Sequence, residues 1–468
     1  MKVSLEHPSL NGNMLVIGAE RTFKKTALMY PSILRMESTY VILDVNGSTQ
    51  RKFGKAFLDA GYCVRSLNLM EPEKSDKYNP FANVVDTDGI WQIIEVMMKH
   101  EIQFRGKAAV DPYWHYSAVD MYLRALFYYE WLDSRENSRV GSINRVVCLS
   151  GMEEQYVNES TTRLGQLMDE KAAVHGDSYL PVRFYRSLKT CGESNAVRFV
   201  VRVVNDMLAQ YKETAYRNIF SGNDINIREL GTGVGGDPEK KTVLFLIPSN
   251  RKLPGDILID MFYTQMLTTL FHLSEELYAP LPCHVEVWMN QFDRVRPVYA
   301  EELLATNKGR NISMIPVVRS FSQLKTICEA DGWSIPLFED CMEGIVYFGC
   351  SPTDRETSFY ISEKIGGQIV QRVEKDGRKR CMIEKLRTMV SGKKDFKAAG
   401  QKRSRCPLLK TEEVNRMPIT DCMIFLKGQN PIYAKKAIPF DIPECGYKAS
   451  GEWKTCYQEA CGKGSEDT

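Results

Sequence analysis

The chain has 468 residues, which is enough for two or three domains that each bury a hydrophobic core. Its hydrophobic fraction of 43% and charged fraction of 26% are typical of a soluble globular protein, and no apolar run approaches the roughly 18 residues that span a bilayer. The formal net charge of +2 excludes a whole-chain electrostatic argument for nucleic-acid binding, so any such argument must rest on a local patch.

The first 90 residues alternate strand-like apolar runs with helical patterns. Three runs predict strands, namely MLVIG (14–18), TYVILDV (39–45) and CVRSLNL (63–69). Two segments predict helices, namely KTALMYPSILRM (25–36), which Pro31 interrupts, and RKFGKAFLDAGY (51–62). This alternation predicts parallel pairing and an α/β layer, whose ligands collect at the carboxyl ends of the strands.

Residues from about Gly89 to Gln210 have a mostly helical period, which predicts an inserted all-α region. One short strand candidate interrupts it, NRVVCLS (144–150). The segment DPYWHYSAVDMYLRALFYYEWL (111–132) carries an aromatic stripe that consists of Tyr113, Trp114, Tyr122, Phe127, Tyr128 and Trp131. We expect this stripe to belong to the core rather than to a platform for stacking bases, because it recurs at helical spacing.

The α/β pattern then resumes with the strand candidate KTVLFLIPSN (241–250), a long helix at 254–278 and the strand candidate HVEVWMNQF (284–292). Further strand candidates are NISMIPVVRS (311–320), GIVYFG (344–349) and CMIFLKG (422–428). The sequence thus divides into a first α/β part at 1–90, an all-α insertion at 91–210, a second α/β part at 211–443 and a tail at 444–468. The tail is rich in Gly, Lys, Glu and Ser, and we expect it to be disordered.

Residues 372–405 form a locally basic segment. It contains thirteen lysine and arginine residues against four acidic ones, which gives a net charge of +9. A charge run of this kind is most often a solvated loop, and contact with a phosphate backbone is the alternative interpretation.

The thirteen cysteines form no recognisable metal or disulfide pattern. No C-x-x-C pair occurs, and the six histidines form no H-E-x-x-H motif. An odd number of cysteines in a chain without a secretory signal is typical of reduced thiols in a cytoplasm. We therefore expect a cytoplasmic protein without a metal site.

A phosphate-loop pattern with substitutions lies between the first predicted strand and the first predicted helix. Gly18 and Lys24 match the first glycine and the lysine of G-x-x-x-x-G-K-[ST], whose backbone amides cradle phosphate. Phe23 replaces the second glycine, and Lys25 replaces the hydroxyl residue that binds Mg²⁺. The candidate nucleotide-contacting residues around this loop are Gly18, Arg21, Thr22, Lys24, Lys25, Thr26 and Asp44.

The order and spacing of longer motifs, from about residue 10 to 440, resemble the conjugative coupling proteins of type IV secretion (TraG-like). The similar segments are NGNMLVIGAERTFKKTALMYPSIL (11–34), YVILDVNGS (40–48), SDKYNPF (75–81), DPYW (111–114), TVLFLIP (242–248), GRNISMIPVVRSFSQLK (309–325), GCSPTDRETSFYISEKIG (349–366) and LLKTEEVNRMPITDCMIFLKGQNPIY (408–433). The resemblance implies a RecA-like P-loop NTPase fold with an inserted all-α domain, in hexameric motors that pass relaxase-bound DNA to a secretion channel. Arg310 matches a family arginine that acts across a subunit interface, and a surface ion pair is the equal alternative.

The chain departs from this family where the chemistry lies, and we expect it to lack the transmembrane helices with which family members begin. Asn290 and Gln291 stand where the family has an Asp-Glu pair, which holds the metal shell and orients or deprotonates water. Unlike the carboxylates of that pair, the amides of Asn290 and Gln291 carry no negative charge and are not basic. General-base catalysis raises a reaction rate by roughly 10²- to 10⁴-fold, so its loss would be large. Further replacements of usual family residues are Ala19, Arg21 and Phe23 for glycine and Arg319 for glutamine.

Three interpretations remain. The first is a pseudo-ATPase without a cofactor, which acts as a scaffold. It would either bind DNA or relaxase substrate, or join a membrane-anchored active paralogue in a hexamer at the inner face of the membrane. Its loop is expected to be empty or to hold a simple anion, with Phe23 in the volume of a β-phosphate. The second is an active DNA-translocating ATPase that uses ATP and Mg²⁺ at Lys24, Thr26, Asp44 and Asp293. The third is a nucleic-acid-binding module that uses the basic segment and the all-α region.

Overall fold

A nine-stranded mixed sheet forms the centre of the molecule. The computed structural model describes residues 12–105, 112–159, 161–192, 194–249, 254–373 and 401–436. The strands of this sheet are β1 Met14–Ile17, β2 Thr39–Leu43, β3 Cys63–Asn68, β4 Thr242–Ile247, β5 Val285–Asn290, β6 Ile312–Val318, β7 Gly344–Tyr347, β10 Asp421–Leu426 and β11 Ile432–Lys435. Their order in the sheet is β11-β10-β7-β1-β6-β5-β2-β4-β3.

Seven of these strands, from β7 to β3 in the sheet order, run parallel, and β10 and β11 add an antiparallel edge. The parallel strands are apolar runs because helices cover both faces of the sheet. On one face Val16, Ile42 and Phe245 belong to a core that includes the first helical segment, while Ile17 and Val41 belong to the core of the other face. The predicted α/β class is confirmed.

The helices are α1 Tyr30–Ile33, α2 Ser48–Asp59, α3 Thr87–Arg105, α4 Pro112–Glu136, α5 Ile143–Met152, α6 Arg163–His175, α7 Leu180–Thr190, α8 Ser194–Ala209, α9 Thr214–Ile219, α10 Ile227–Thr232, α11 Pro254–Glu276, α12 Ala300–Thr306, α13 Phe321–Asp331, α14 Ile335–Asp340, α15 Arg355–Ile365 and α16 Thr411–Asn415. A π-helix, Lys25–Met29, precedes α1, and short 3₁₀ turns occupy Pro72–Lys74, Pro80–Asn83, Gln210–Lys212 and Val234–Gly236. The π-helix ends next to Pro31, which has no N–H to continue an α-helical ladder.

Between β3 and β4 the described backbone is helical and contributes no strand to the sheet. Helix α3 packs on α11, and α4 packs on α3. The aromatic residues Tyr122, Phe127, Tyr128 and Trp131 of α4 are buried, which confirms that this part of the stripe is core. The side chains of Tyr113 and Trp114 lie outside the described residues.

The predicted strand at 144–150 is wrong, because these residues belong to α5. The Ser142 hydroxyl accepts a hydrogen bond from the Asn144 amide and caps this helix. Its buried positions, which include Ile143, Val146, Val147 and Ser150, follow the three-and-four spacing of a helix face. Burial of that face outweighs the strand preference of the β-branched residues.

A separate two-stranded antiparallel ribbon joins β8 Gly367–Val373 to β9 Gln401–Pro407. It contains both ends of the basic segment, while residues 374–400 and the tail at 444–468 lie outside the described residues. Within the described part of the chain, no helix is both long and apolar enough to cross a membrane.

Candidate functional site

The candidate site lies at the edge of the sheet where the parallel strands end, called here the carboxyl edge. Strand β1 lies between β6 and β7, with Ile17 paired to Val318 on one side and to Tyr347 on the other. Strand β5 lies between β6 and β2. The sheet order therefore brings the loop after β1, Arg319 after β6, Asn290 at the end of β5 and Asp44 after β2 to the same edge.

The loop from Gly18 to Lys24 keeps two left-handed backbone positions without glycine. Arg21 has φ 62° and Phe23 has φ 64°, a region in which an L side chain costs roughly 1–2 kcal/mol. Gly18 is required for another reason, since an added Cβ would lie 2.8 Å from the Phe348 Cβ and 2.8 Å from the Thr22 hydroxyl oxygen. The Phe23 ring is 41% exposed, and its predicted position in a β-phosphate volume stays a prediction.

Lys24 points back into its own loop. Its ammonium donates to the carbonyl of Gly18 and, at 2.7 Å, to the carbonyl of Ala19. The Thr22 hydroxyl also donates to the Ala19 carbonyl, at 2.8 Å. Burial, together with the positive charges of Arg319 and Lys436, lowers the pKa of Lys24 to about 8. The loop is therefore held by hydrogen bonds among its own residues.

Asp44 stabilises the start of α2 and neutralises Lys25. Its carboxylate is fully buried and accepts hydrogen bonds from the Thr49 amide at 2.7 Å, the Thr49 hydroxyl at 3.0 Å and the Gln50 amide at 3.0 Å. The Lys25 ammonium lies 3.7 Å from the Asp44 Oδ1. The aspartate is thus already satisfied by protein groups, and Lys25 places a cation where a metal-binding hydroxyl is needed.

Asn290 has a structural hydrogen bond at the end of β5. Its Nδ2 donates to the Leu43 carbonyl at 2.9 Å and contacts the Met29 Sδ at 3.2 Å, and the residue is buried. This bond ties β5 to β2, its neighbour in the sheet. Gln291 follows with φ 62°, so the chain turns sharply where the family glutamate stands. Asp293 Oδ1 is buried and has no hydrogen-bond partner among the described residues.

Two further cations approach the loop. Arg319 forms an ion pair with Glu20 at 3.2 Å. Lys436, which follows β11, donates to the carbonyls of Phe348 at 2.8 Å and Ile419 at 2.7 Å. Burial lowers the pKa of Lys436 to about 8. Sequence reasoning missed Lys436, because it lies more than 400 residues after the loop and no motif marks it.

Arg310 is not brought to this edge. It precedes β6, at the opposite end of a seven-residue strand that is about 20 Å long. Its guanidinium donates to the carbonyls of Phe271 and Thr306 and pairs with Glu275 at 2.7 Å. These bonds fix Arg310 within its own chain, and its proposed action across a subunit interface stays a prediction.

The residues at the carboxyl edge do not fit a magnesium nucleotide. Mg²⁺ prefers carboxylate, hydroxyl and water oxygens, whereas this edge presents Lys25, Arg319 and the amide of Asn290. The Asp44 carboxylate is occupied by its amide donors and by Lys25. The described residues contain no group of three or more His, Cys, Asp or Glu side chains placed to hold a metal ion.

Comparisons with known proteins agree with this architecture. The plasmid coupling protein TrwB in complex with the ATP analogue ADPNP superposes with a TM-score of 0.60 at 16% identity, over 92% of this chain and 86% of that chain. TrwB in complex with ADP and Mg²⁺ superposes over the same shares with a TM-score of 0.59 at 15% identity. These matches show the RecA-like P-loop fold with an inserted helical domain. No curated protein sequence matches the chain significantly.

A family model described as type IV secretory system conjugative DNA transfer matches residues 7–460, nearly the whole sequence. The chain therefore belongs to the conjugative DNA transfer (coupling protein) family of type IV secretion systems.

Proposed function

We propose that this chain is a coupling-protein scaffold of a type IV secretion system that no longer hydrolyses ATP. The proposal is carried by the environment of Asn290, whose amide replaces a metal-holding carboxylate and is bonded to the Leu43 carbonyl. Gln291 supplies no basic group in place of the glutamate, which removes help worth roughly 10²- to 10⁴-fold. Lys25 adds a positive charge where Mg²⁺ would need an oxygen ligand. Accordingly, we expect no magnesium nucleotide to serve as a cofactor.

The role that remains is binding. We infer that the chain engages relaxase-bound DNA or an active, membrane-anchored coupling paralogue, in a homo- or hetero-hexamer at the cytoplasmic face of the membrane. The RecA-like sheet supports this role, because its parallel strands and buried faces are intact without the catalytic groups. An active ATPase, the alternative, requires Asp44 to release its amide donors and Lys25, or Asp293 to replace the missing acid pair.

The test is ATP turnover by the purified chain, with phosphate release measured in excess Mg²⁺. We expect wild type and Lys24→Ala to show the same background rate. Turnover that Lys24→Ala abolishes would establish the active alternative instead. Lys52→Ala, a change on the exposed side of α2, is the matched control, because it removes a lysine outside the loop.

A nucleic-acid-binding role through the β8–β9 ribbon is a second candidate. In the ribbon register Arg372 is paired with Lys402, and Arg403 and Arg405 face neutral residues. A polyanion would offset the positive charge that these basic residues bring to the ribbon. A two-stranded ribbon is also narrow enough to enter a DNA major groove.

This candidate is tested by the salt dependence of duplex DNA binding. The triple variant Lys402→Gln, Arg403→Gln, Arg405→Gln should lower the slope of log K against log salt by about 2.7, at roughly 0.9 for each lost phosphate contact. A control variant with the same charge change replaces the exposed residues Lys212, Lys240 and Lys308 with glutamine and should leave the slope unchanged. Equal slopes for the two triple variants would refute binding through the ribbon.

A further inference from the structure

Three cations lie at the ends of three neighbouring strands at the carboxyl edge. Arg319 follows β6, Lys24 lies in the loop after β1, and the Lys436 ammonium rests on the carbonyl of Phe348, directly after β7. The loops themselves are joined, since the Ala19 amide donates to the Gly349 carbonyl at 2.9 Å. Neighbouring strands lie about 4.8 Å apart, so the three cations share a region roughly 10 Å wide.

Each of the two ammonium groups retains a donor for a ligand. Lys24 donates to the carbonyls of Gly18 and Ala19, and Lys436 donates to those of Phe348 and Ile419. An ammonium has three N–H donors, so one remains on each lysine after these bonds. Neither ammonium has an acidic partner within ion-pair distance among the described residues.

The negative charge near this cluster is insufficient to neutralise it. Glu20 pairs with Arg319, and its own side chain is 72% exposed, while the Asp44 carboxylate is held by α2 and Lys25. The buried Asp421 carboxylate, whose charge acts on Lys436, is paired with Lys435. Placing cations together in a partly buried region is unfavourable unless an anion joins them. Burial is the first cause of the lowered pKa of both lysines; the charges of Arg319 and Lys436 add to it at Lys24, whereas Asp421 opposes it at Lys436.

We propose that the carboxyl edge of β6, β1 and β7 binds a polyphosphate chain without a metal ion, held by Lys24, Arg319 and Lys436. The inference rests on the proposed function, in which the site does not use Mg²⁺. Arg319 and Lys436 supply the positive charge that a metal ion supplies in a magnesium nucleotide. The donors span about two strand spacings, which suits two or three linked phosphoryl groups better than a single phosphate.

The binding test uses isothermal titration calorimetry with pyrophosphate, tripolyphosphate and ATP, each in EDTA and in excess Mg²⁺. We expect binding in EDTA and at least about tenfold weaker binding in Mg²⁺, because the metal neutralises phosphate charge and is itself repelled by the cluster. Equal affinity for tripolyphosphate and ATP would show that the site recognises the phosphate chain alone. Tighter binding of ATP would show that the site also recognises the nucleoside. Binding that requires Mg²⁺, or no binding in EDTA, would overturn the proposal.

Two lysines provide a matched pair of variants. Lys436→Met should weaken binding in EDTA about tenfold, the value of one charge-assisted hydrogen bond. Lys427→Met is the control, since Lys427 is exposed, donates to the Asp340 carbonyl and lies at the opposite edge of the sheet, beside the residue that precedes β7. Arg319→Gln, which introduces the usual family residue, should also weaken binding about tenfold. Equal affinities for wild type and Lys436→Met would exclude the assigned site.

The two proposals fail in different ways. Phosphate release from ATP in the Mg²⁺ samples would refute the loss of hydrolysis. Absence of both release and metal-free binding would refute the polyphosphate site alone and leave the scaffold role intact.

Discussion

Restoring the missing aspartate is expected to destabilise this protein rather than to activate it. The Asn290 amide donates to the Leu43 carbonyl at 2.9 Å in a buried setting. In Asn290→Asp an ionised carboxylate oxygen would face that carbonyl, so the donor is lost and a buried charge is left unpaired. The lost hydrogen bond contributes about 1 kcal/mol, and the unpaired charge about 2 kcal/mol more. We therefore expect a loss of about 3 kcal/mol at pH 8.

The loss should depend on pH with a defined sign. Repulsion from the carbonyl raises the pKa of the introduced carboxyl above its unfolded value of about 4, because only the protonated form can donate to Leu43. The favourable contribution of the protonated group is complete below the unfolded pKa and is lost as the pH rises through the folded pKa. Asn290→Asp should therefore approach wild-type stability near pH 4.5 and fall below it towards pH 8.

Urea unfolding of wild type and Asn290→Asp at pH 4.5, 6 and 8 measures this difference. Asn290→Leu is the control, since it removes the amide without adding a charge and should show a loss that does not change with pH. The double variant Asn290→Asp, Gln291→Glu should also show no MgATP turnover, because Phe23 and Lys25 are unchanged. A double variant as stable as wild type at pH 8 that turns over MgATP would refute this reasoning.

The remaining predictions concern protonation and backbone strain. Burial lowers the pKa of Lys24 from 10.5 to about 8. From pH 8 to 10.5, the free energy of unfolding of wild type should therefore rise by about 3 kcal/mol relative to that of Lys24→Met. Urea unfolding measures this difference, and a difference that does not change with pH would contradict the prediction. Burial also lowers the pKa of His284 to about 4 and raises that of Glu286 to about 7. From pH 4 to 6.5, the free energy of unfolding of His284→Gln should therefore fall by about 3 kcal/mol relative to wild type. From pH 4.5 to 7, that of Glu286→Gln should rise by about 3 kcal/mol relative to wild type. Urea unfolding measures both differences, and changes of the same sign in the two variants would refute this prediction. Arg21→Gly should stabilise the chain by about 0.5–1 kcal/mol in thermal unfolding, because glycine relieves the strain at φ 62°, and a loss of stability would show that the arginine side chain matters more.

The strands of the parallel sheet were predictable because both faces of that sheet are buried. Runs such as TVLFLI in β4 and ISMIPVV in β6 are apolar at nearly every position, and only an element covered on both sides requires this. Neither β11, where alternate residues are exposed, nor the β8–β9 ribbon has such a continuous apolar run, so the sequence did not predict them. The order of the strands was also not predictable, since β1 pairs with β6 and β7, about 300 residues away.

The error at 144–150 has a local cause. Val146 and Val147 favour a strand when they are considered alone, but their register with Ile143 and Ser150 places all four on one helix face. Ser142 was a visible helix start, because serine before an apolar stretch is a common N-cap. The capping signal was therefore more informative than the β-branched composition.

The sequence predicted where the site lies, but it did not predict which groups its side chains bond to. The motif around Gly18 and the strand end at Asp44 do lie at one edge of the sheet. Nothing in the spacing indicates that the Asp44 carboxylate is committed to Thr49 and Gln50, or that Asn290 donates to a neighbouring strand. Both are properties of three-dimensional packing that residue type alone does not determine.

The left-handed positions at Arg21 and Phe23 make the loop depend on contacts among its own residues. Without glycine, each position is strained by roughly 1–2 kcal/mol, so the loop would open unless other contacts held it. Those contacts are present as the bonds of Lys24 to Gly18 and Ala19. In a nucleotide-binding loop the lysine is needed for phosphate, whereas here two of its three donors stabilise the loop itself. A loop held closed by its own lysine can keep its shape without Mg²⁺, and in the proposed polyphosphate site the cations beside it would favour an anion without a metal ion.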